Sequence, residues 1–383
     1  MQRLRFKADD GSEFPEWEEK NVEDVCSVST GKGNTQDKVD TGAYRFYVRS
    51  PIIEHSDSYL FDGEAVITVG DGVGTGKVFH YVKGKYNLHQ RCYRMYDFRD
   101  VTGKYFYYFF STNFYRRVKS MSAKTSVDSV RMEMITKMKI LVPCLAEQQK
   151  IAEFLSTIDT VIAKQRETVF AWEERKKGVM QKLFSQEVRF KADDGSDFPE
   201  WEEKKIDDLF YKVNERNNGQ FGKDKWISVA KMYYQDEDKV TSNNIDTRTY
   251  VMRVGDMSFE GHPNKEFKYG RFVVNDIGDG IISELFPIYR HKENYILKYW
   301  KYAIQVDSIM QKIYRKSITS SGASSNKLDD DDFKRQSILV PCLAEQQKIA
   351  DCLSSLDEVI ETQKATLAAW EELKKGLLQQ MFV

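Results

Sequence analysis

The apolar residues that follow Pro143 fall at Ile151, Leu155, Ile158, Ile162, Val169, Trp172, Val179 and Leu183. With Gln165 and Lys176 in the gaps, the steps alternate four and three. That is the seam of a coiled coil, not the broad stripe of a surface helix. The spacing returns after Pro341, at Ile349, Leu353, Leu356, Ile360, Gln363, Leu367, Trp370, Lys374, Leu377 and Met381. Both prolines suit a helix entry, where the missing N–H is harmless. A helix over Ala146–Phe184 would run about 58 Å. Polar residues at the same two seam positions, Gln165/Gln363 and Lys176/Lys374, fix register at some cost in stability. Gly178 and Gly376 predict a frayed or bent last turn. Two single-seam helices in one chain most simply pack on each other.

The seam repeats because the chain is written twice. Ile140–Ala152 (ILVPCLAEQQKIA) is identical to Ile338–Ala350, and Arg5–Lys20 matches Arg189–Lys204 at fifteen of sixteen positions. The offsets are 198 and 184, so the second unit carries 14 more residues between its matched blocks. Units of about 190 residues are too long for a solenoid repeat. The segments between, 27–139 and 211–337, show no alignment by eye. Drift alone would hardly leave thirteen identical residues beside unrecognisable ones. The expected fold is α+β: two globular domains in a pseudo-two-fold arrangement, separated by two long helices that run antiparallel. Boundaries are expected at 1–139 and 189–337 for the domains and at 140–188 and 338–383 for the helices. The length of 383 residues has room for these.

Charge is partitioned the same way. The chain is nearly neutral at −1, yet 27–139 holds 18 basic and 11 acidic residues and 211–337 holds 21 and 18. The repeated frame is therefore acidic and the variable segments basic. Within 81–139 alone there are 13 basic residues against 4 acidic ones. A local surplus of that kind is what phosphate neutralisation requires. The aromatic run Tyr105–Phe110 reads as buried core, since six consecutive rings cannot all face outward.

Catalytic chemistry is missing. In Gly70–Lys77 (GDGVGTGK) the first glycine of a phosphate loop would fall on Asp71, and Val78 stands where Ser or Thr is required. A strand–turn–strand with glycines at positive φ is the better reading. Asp329–Asp332 has no calcium-loop spacing and reads as a helix cap. Five cysteines (Cys26, Cys92, Cys144, Cys342, Cys352) form no metal cluster and fit a reducing cytoplasm. No membrane span and no signal peptide are expected.

The duplicated LVPCLAEQQKIA, followed by a long helix with WEE-x-KKG, and the FPEW at Phe14–Trp17 and Phe198–Trp201 resemble the specificity subunit of type I restriction–modification enzymes. The resemblance covers essentially the whole chain. It implies that each variable segment is a target-recognition domain for one half of a bipartite, asymmetric site in double-stranded DNA, with the paired helices as spacer. It also implies partners: two methyltransferase subunits that carry S-adenosylmethionine, and restriction subunits that use ATP and Mg²⁺. This chain itself would be non-catalytic and hold no cofactor or metal. Specific contacts come mainly from polar and basic side chains on loops. The candidates are Gly72, Lys77, Arg116, Arg117, Lys119 and Lys124 in the first domain, and Lys265, Arg271, Ser320, Ser321, Asn326 and Lys327 in the second. A stand-alone architectural DNA binder and a protein-interaction scaffold are the competing readings.

Overall fold

Each variable segment enters and leaves the frame through a pair of adjacent strands. In a computed structural model that describes residues 3–72, 74–121, 129–264, 267–320 and 325–382, Glu18–Asn21 pairs antiparallel with Lys139–Val142. Glu202–Lys205 pairs with Ser337–Val340 in the same register. The FPEWEEK text thus lies against the ILVP text in both copies. The segment between them is free to differ.

The chain divides into two compact units, one of residues 1–167 with 364–383, the other of residues 168–363. Each is built from one variable domain, the first half of its own long helix and the last half of the other. The first long helix is Leu145–Phe184 and the second Leu343–Phe382, 40 residues each. In the first unit Arg166 meets Glu371 at 2.5 Å and Asp159 meets Lys374 at 2.5 Å, so the two halves run antiparallel there. Seam residues Ile151, Leu155, Ile158, Ile162, Val169, Ile349, Leu353 and Ile360 are buried. Trp172, Leu356, Leu367 and Trp370 are half-buried. The glycines do not fray the helices. Both continue six residues past Gly178 and Gly376 because their ends are anchored in a core, Leu183 and Phe184 in one unit, Met381 and Phe382 in the other.

The register-setting lysines have partners. Lys374 binds Asp159, whose other oxygen accepts from Tyr108 at 2.7 Å, and Lys374 lies 5.7 Å from the Tyr108 ring centroid. In the second unit Lys176 binds Asp357 at 2.6 Å, Tyr302 donates to the same carboxylate at 2.7 Å, and Lys176 lies 5.0 Å from its ring. Burial pushes both phenols well above their ordinary range. Each three-residue node ties a variable-domain helix to both long helices.

A second repeated node explains the identical text. Glu147 is fully buried and accepts from Arg5 at 3.2 and 2.9 Å and from the Trp17 indole at 2.9 Å. Glu345 does the same with Arg189, at 3.1 and 2.9 Å, and with Trp201, at 3.0 Å. The adjacent Gln148 donates to the carbonyls of Asp100 and Pro143 and accepts from the Thr102 amide. A buried carboxylate is tolerated only when its oxygens are this fully engaged.

The domains on this frame differ. The first has a six-stranded sheet, with Phe61–Val69 between Phe79–Leu88 and Cys92–Tyr96. Helix Gly103–Met121 packs on it through Phe106, Phe110 and Phe114, all buried; of the run Tyr105–Phe110 only Tyr107 is partly exposed. In the second, Met257–Glu260 lies between Arg271–Val274 and Ile288–His291 in a four-stranded sheet, followed by helices Leu297–Ala303 and Asp307–Ser317. Asp329 caps Asp330–Lys334 by accepting from the Asp332 amide at 2.9 Å. All five cysteines are free, and burial pushes the Cys26 and Cys92 thiols up to about 12.

Candidate nucleic-acid interface

In both domains one end of the sheet is built around a glycine. Gly70 follows Phe61–Val69, donates to the Arg91 carbonyl at 2.8 Å and accepts from the Val130 amide at 2.7 Å. A Cβ there would stand 2.6 Å from the Arg91 carbonyl oxygen. In the second domain Gly261 follows Met257–Glu260 and accepts from the Asn326 amide at 2.8 Å, and a Cβ would meet the Asn326 carbonyl at 2.1 Å. The chain that returns after the helices is thus laid across the end of a central strand, against a residue that cannot carry a side chain.

This crossing gathers the first domain's candidate loops. Gly70–Gly72 and Gly74–Lys77 lie between two paired strands, with Gly72 and Gly76 at φ of 81° and 67°. The buried Thr75 donates through its hydroxyl to the Gly72 carbonyl at 2.5 Å. Lys77 projects over the Tyr115 ring at 5.1 Å, which brings the turn beside helix Gly103–Met121, where Arg116 and Lys119 are exposed. Arg91, part of the basic stretch 81–139 but not among the candidate contacts, and Arg49 flank Asp71 at 3.8 and 3.4 Å. Arg49 reaches this edge from a distant turn that only tertiary structure brings near. Arg117 is turned inward, its Nε donating to the Met134 carbonyl at 2.8 Å, and serves the fold. Lys124 lies outside the described residues.

In the second domain strands Ile318–Ser320 and Asn326–Leu328 pair as a hairpin, with Ser320 opposite Asn326 and Thr319 opposite Lys327. Asn326 donates through its side-chain Nδ2 to the Lys268 carbonyl at 3.3 Å, and Lys327 is exposed. Arg271 stands at the same end, but it donates to the Ala230 carbonyl and stacks 4.6 Å from the Phe267 ring. Lys265 and Ser321 lie outside the described residues. Among the described residues there is no group of acidic, His and Cys side chains able to hold a metal, and no helix is long and apolar enough to cross a membrane.

Two dissimilar sheets, each ending in a glycine crossing with polar and basic side chains beside it, are thus carried on frames of the same sequence. The chain belongs to the family of type I restriction modification DNA specificity domains, whose model matches residues 15–169 and 199–371. It is 24% identical over 417 residues to the type I restriction enzyme MjaVIII specificity subunit of Methanocaldococcus jannaschii, covering 97% of this chain and 94% of that one. It is 25% identical over 206 residues to the EcoDI specificity subunit of Escherichia coli, covering 54% and 44%. In structure it resembles the S subunit of a type I restriction-modification system from M. genitalium, at a TM-score of 0.59 and 13% identity over 100% and 99% of the two chains. A chain from a study of complex assembly and conformational transition of the type I R-M system matches with a TM-score of 0.54 and 13% identity over 97% and 98%. The family is that of the specificity component, which is not itself catalytic.

Proposed function

We propose that this chain selects the DNA site at which partner subunits methylate adenine or cut, each variable domain reading one half of a bipartite, asymmetric sequence. Residues 1–139 and 189–337 are the reading modules, and 140–188 and 338–383 set the length of the unread spacer. The observation that carries this reading is the glycine crossing, built twice from unrelated sequence and each time collecting loop polar groups at one sheet end. Gly72, Lys77, Arg116, Lys119 and Lys124 in the first module and Lys265, Ser320, Ser321, Asn326 and Lys327 in the second are the candidate contacts. Arg117 and Arg271 support them by holding backbone.

The frame is the docking side. Leu145 and Leu343 are exposed at equivalent helix starts, near the glutamate-rich EEK text of each copy, and a repeated surface suits two copies of one partner. Those partners are two methyltransferase subunits carrying S-adenosylmethionine and restriction subunits using ATP and Mg²⁺. Co-expression with a methyltransferase subunit of such a system, followed by single-molecule sequencing for N6-methyladenine, tests the reading. The expected result is a split motif with one modified adenine in each half. A stable complex that methylates no such motif overturns it.

A further inference from the structure

The two reading edges can be superimposed by strand register, and one position then stands out. In the first domain Val69 pairs with Cys92, which sets Arg91 opposite the crossing glycine Gly70. In the second, Met257 pairs with Tyr289 and Ser258 with Ile288, and the Phe259 amide reaches the Pro287 carbonyl. Extending that register places Leu285 opposite the crossing glycine Gly261. The His262 and Phe286 rings, 6.5 Å apart, keep the two segments adjacent as far as Phe286, the residue before Pro287.

Leu285 is 79% exposed, at the tip of a turn in which the Phe286 amide donates to the Ser283 carbonyl at 3.1 Å. A leucine held there gains nothing from burial within its own chain. Two guanidinium groups flank it: Glu284 is bound by both Arg216, at 2.6 Å, and Arg248, at 2.9 Å, and the nearby Asp246 carboxylate is held by the Asn217 side-chain amide and the Gly219 N–H. An apolar tip flanked by two guanidinium groups fits a surface that is apolar at its centre and anionic at its rim. On duplex DNA that is the thymine methyl group in the major groove, between phosphates.

Resting on the DNA-reading function proposed above, we infer that the residue opposite the crossing glycine determines specificity in both domains. Arg91 donates to a guanine edge in one half-site, and Leu285 packs on a pyrimidine 5-methyl group in the other.

Selection of the full chain on a randomised duplex library tests this. The wild type yields two half-sites. Leu285→Ala relaxes one thymine position in one half-site and leaves the other half-site intact, and Leu285→Arg changes the preferred base at that position. Arg91→Ala relaxes one guanine position in the opposite half-site. As a check free of any fold change, replacing that thymine by uracil weakens wild-type binding about fourfold, the worth of one buried methyl group, and does not affect Leu285→Ala. Half-sites that are unchanged in both variants, with no uracil effect, overturn the inference and leave the DNA-reading function standing. No enriched sequence for the wild type overturns both.

Discussion

At the scale of single residues, Glu147 and Glu345 matter most, because each is a buried charge held by an arginine and an indole from the repeated N-terminal text. Arg5→Ala strands Glu147 in the core, a loss of about 3–5 kcal/mol. Amide exchange should then rise throughout the first unit and stay unchanged in the second. A global loss spread over both units would contradict the node's local role. His291 makes a pH prediction. Burial holds its imidazole down to about 3, from an ordinary value of 6.5, while it stacks on Tyr295 at 3.8 Å. The unfolded chain takes up the proton near 6.5 and the folded one does not. Stability of the second unit is therefore full above that pH and falls as pH drops towards 3, by up to about 1.4 kcal/mol per pH unit. His291→Phe should flatten the fall of the melting midpoint between pH 6.5 and 5. An unchanged slope would assign the acid sensitivity to other groups.

At the scale of elements, the long helices carry two glycines that nothing in the packing requires. A Cβ at Gly178 or Gly376 meets no atom within 4 Å. Gly178→Ala and Gly376→Ala should each raise stability by about 1 kcal/mol, read as a shift in the denaturation midpoint. These helices were legible in the sequence because a heptad seam is a strictly local signal. The lysines in the seam could be seen, but not their partners. Tyr108 and Tyr302 lie in the variable segments, where the texts KYFYY and KYWKY at 104–108 and 298–302 are too short to align without knowing that both form a helix. Once they are aligned, ten of the second unit's 14 extra residues fall before this helix and four after it. The sheets were not legible. Their order depends on pairings such as Phe61–Val69 between two later strands, and the crossing at Gly70 joins residues 60 positions apart. The basic surplus of 81–139 is visible in the sequence, but Arg117, which braces Met134, and Arg116, which is exposed, look alike there.

At the scale of the whole molecule, the frame's job in the proposed function is to set a length. One heptad inserted in each long helix, between residues 167 and 168 and between 363 and 364, keeps the seam in phase and adds about 10.5 Å. The unread spacer of the methylation motif should lengthen by about three base pairs, with both half-sites unchanged. A spacer that does not change would separate the helices from this role.

The division of the chain into units also sets an order of events during synthesis. The second unit is one uninterrupted stretch, 168–363, whereas the first needs residues 364–383. Phe382 fills the space between Trp17, Tyr105 and Phe109, and the Gln380 carbonyl accepts from the Leu4 amide. At roughly 5–20 residues per second, the first domain waits some tens of seconds or less for that plug, through the making of the whole second unit, which is itself complete 20 residues earlier. The domain translated first is therefore completed last, and its aromatic socket stays open to chaperones, or to the wrong helix end, for the whole of that interval.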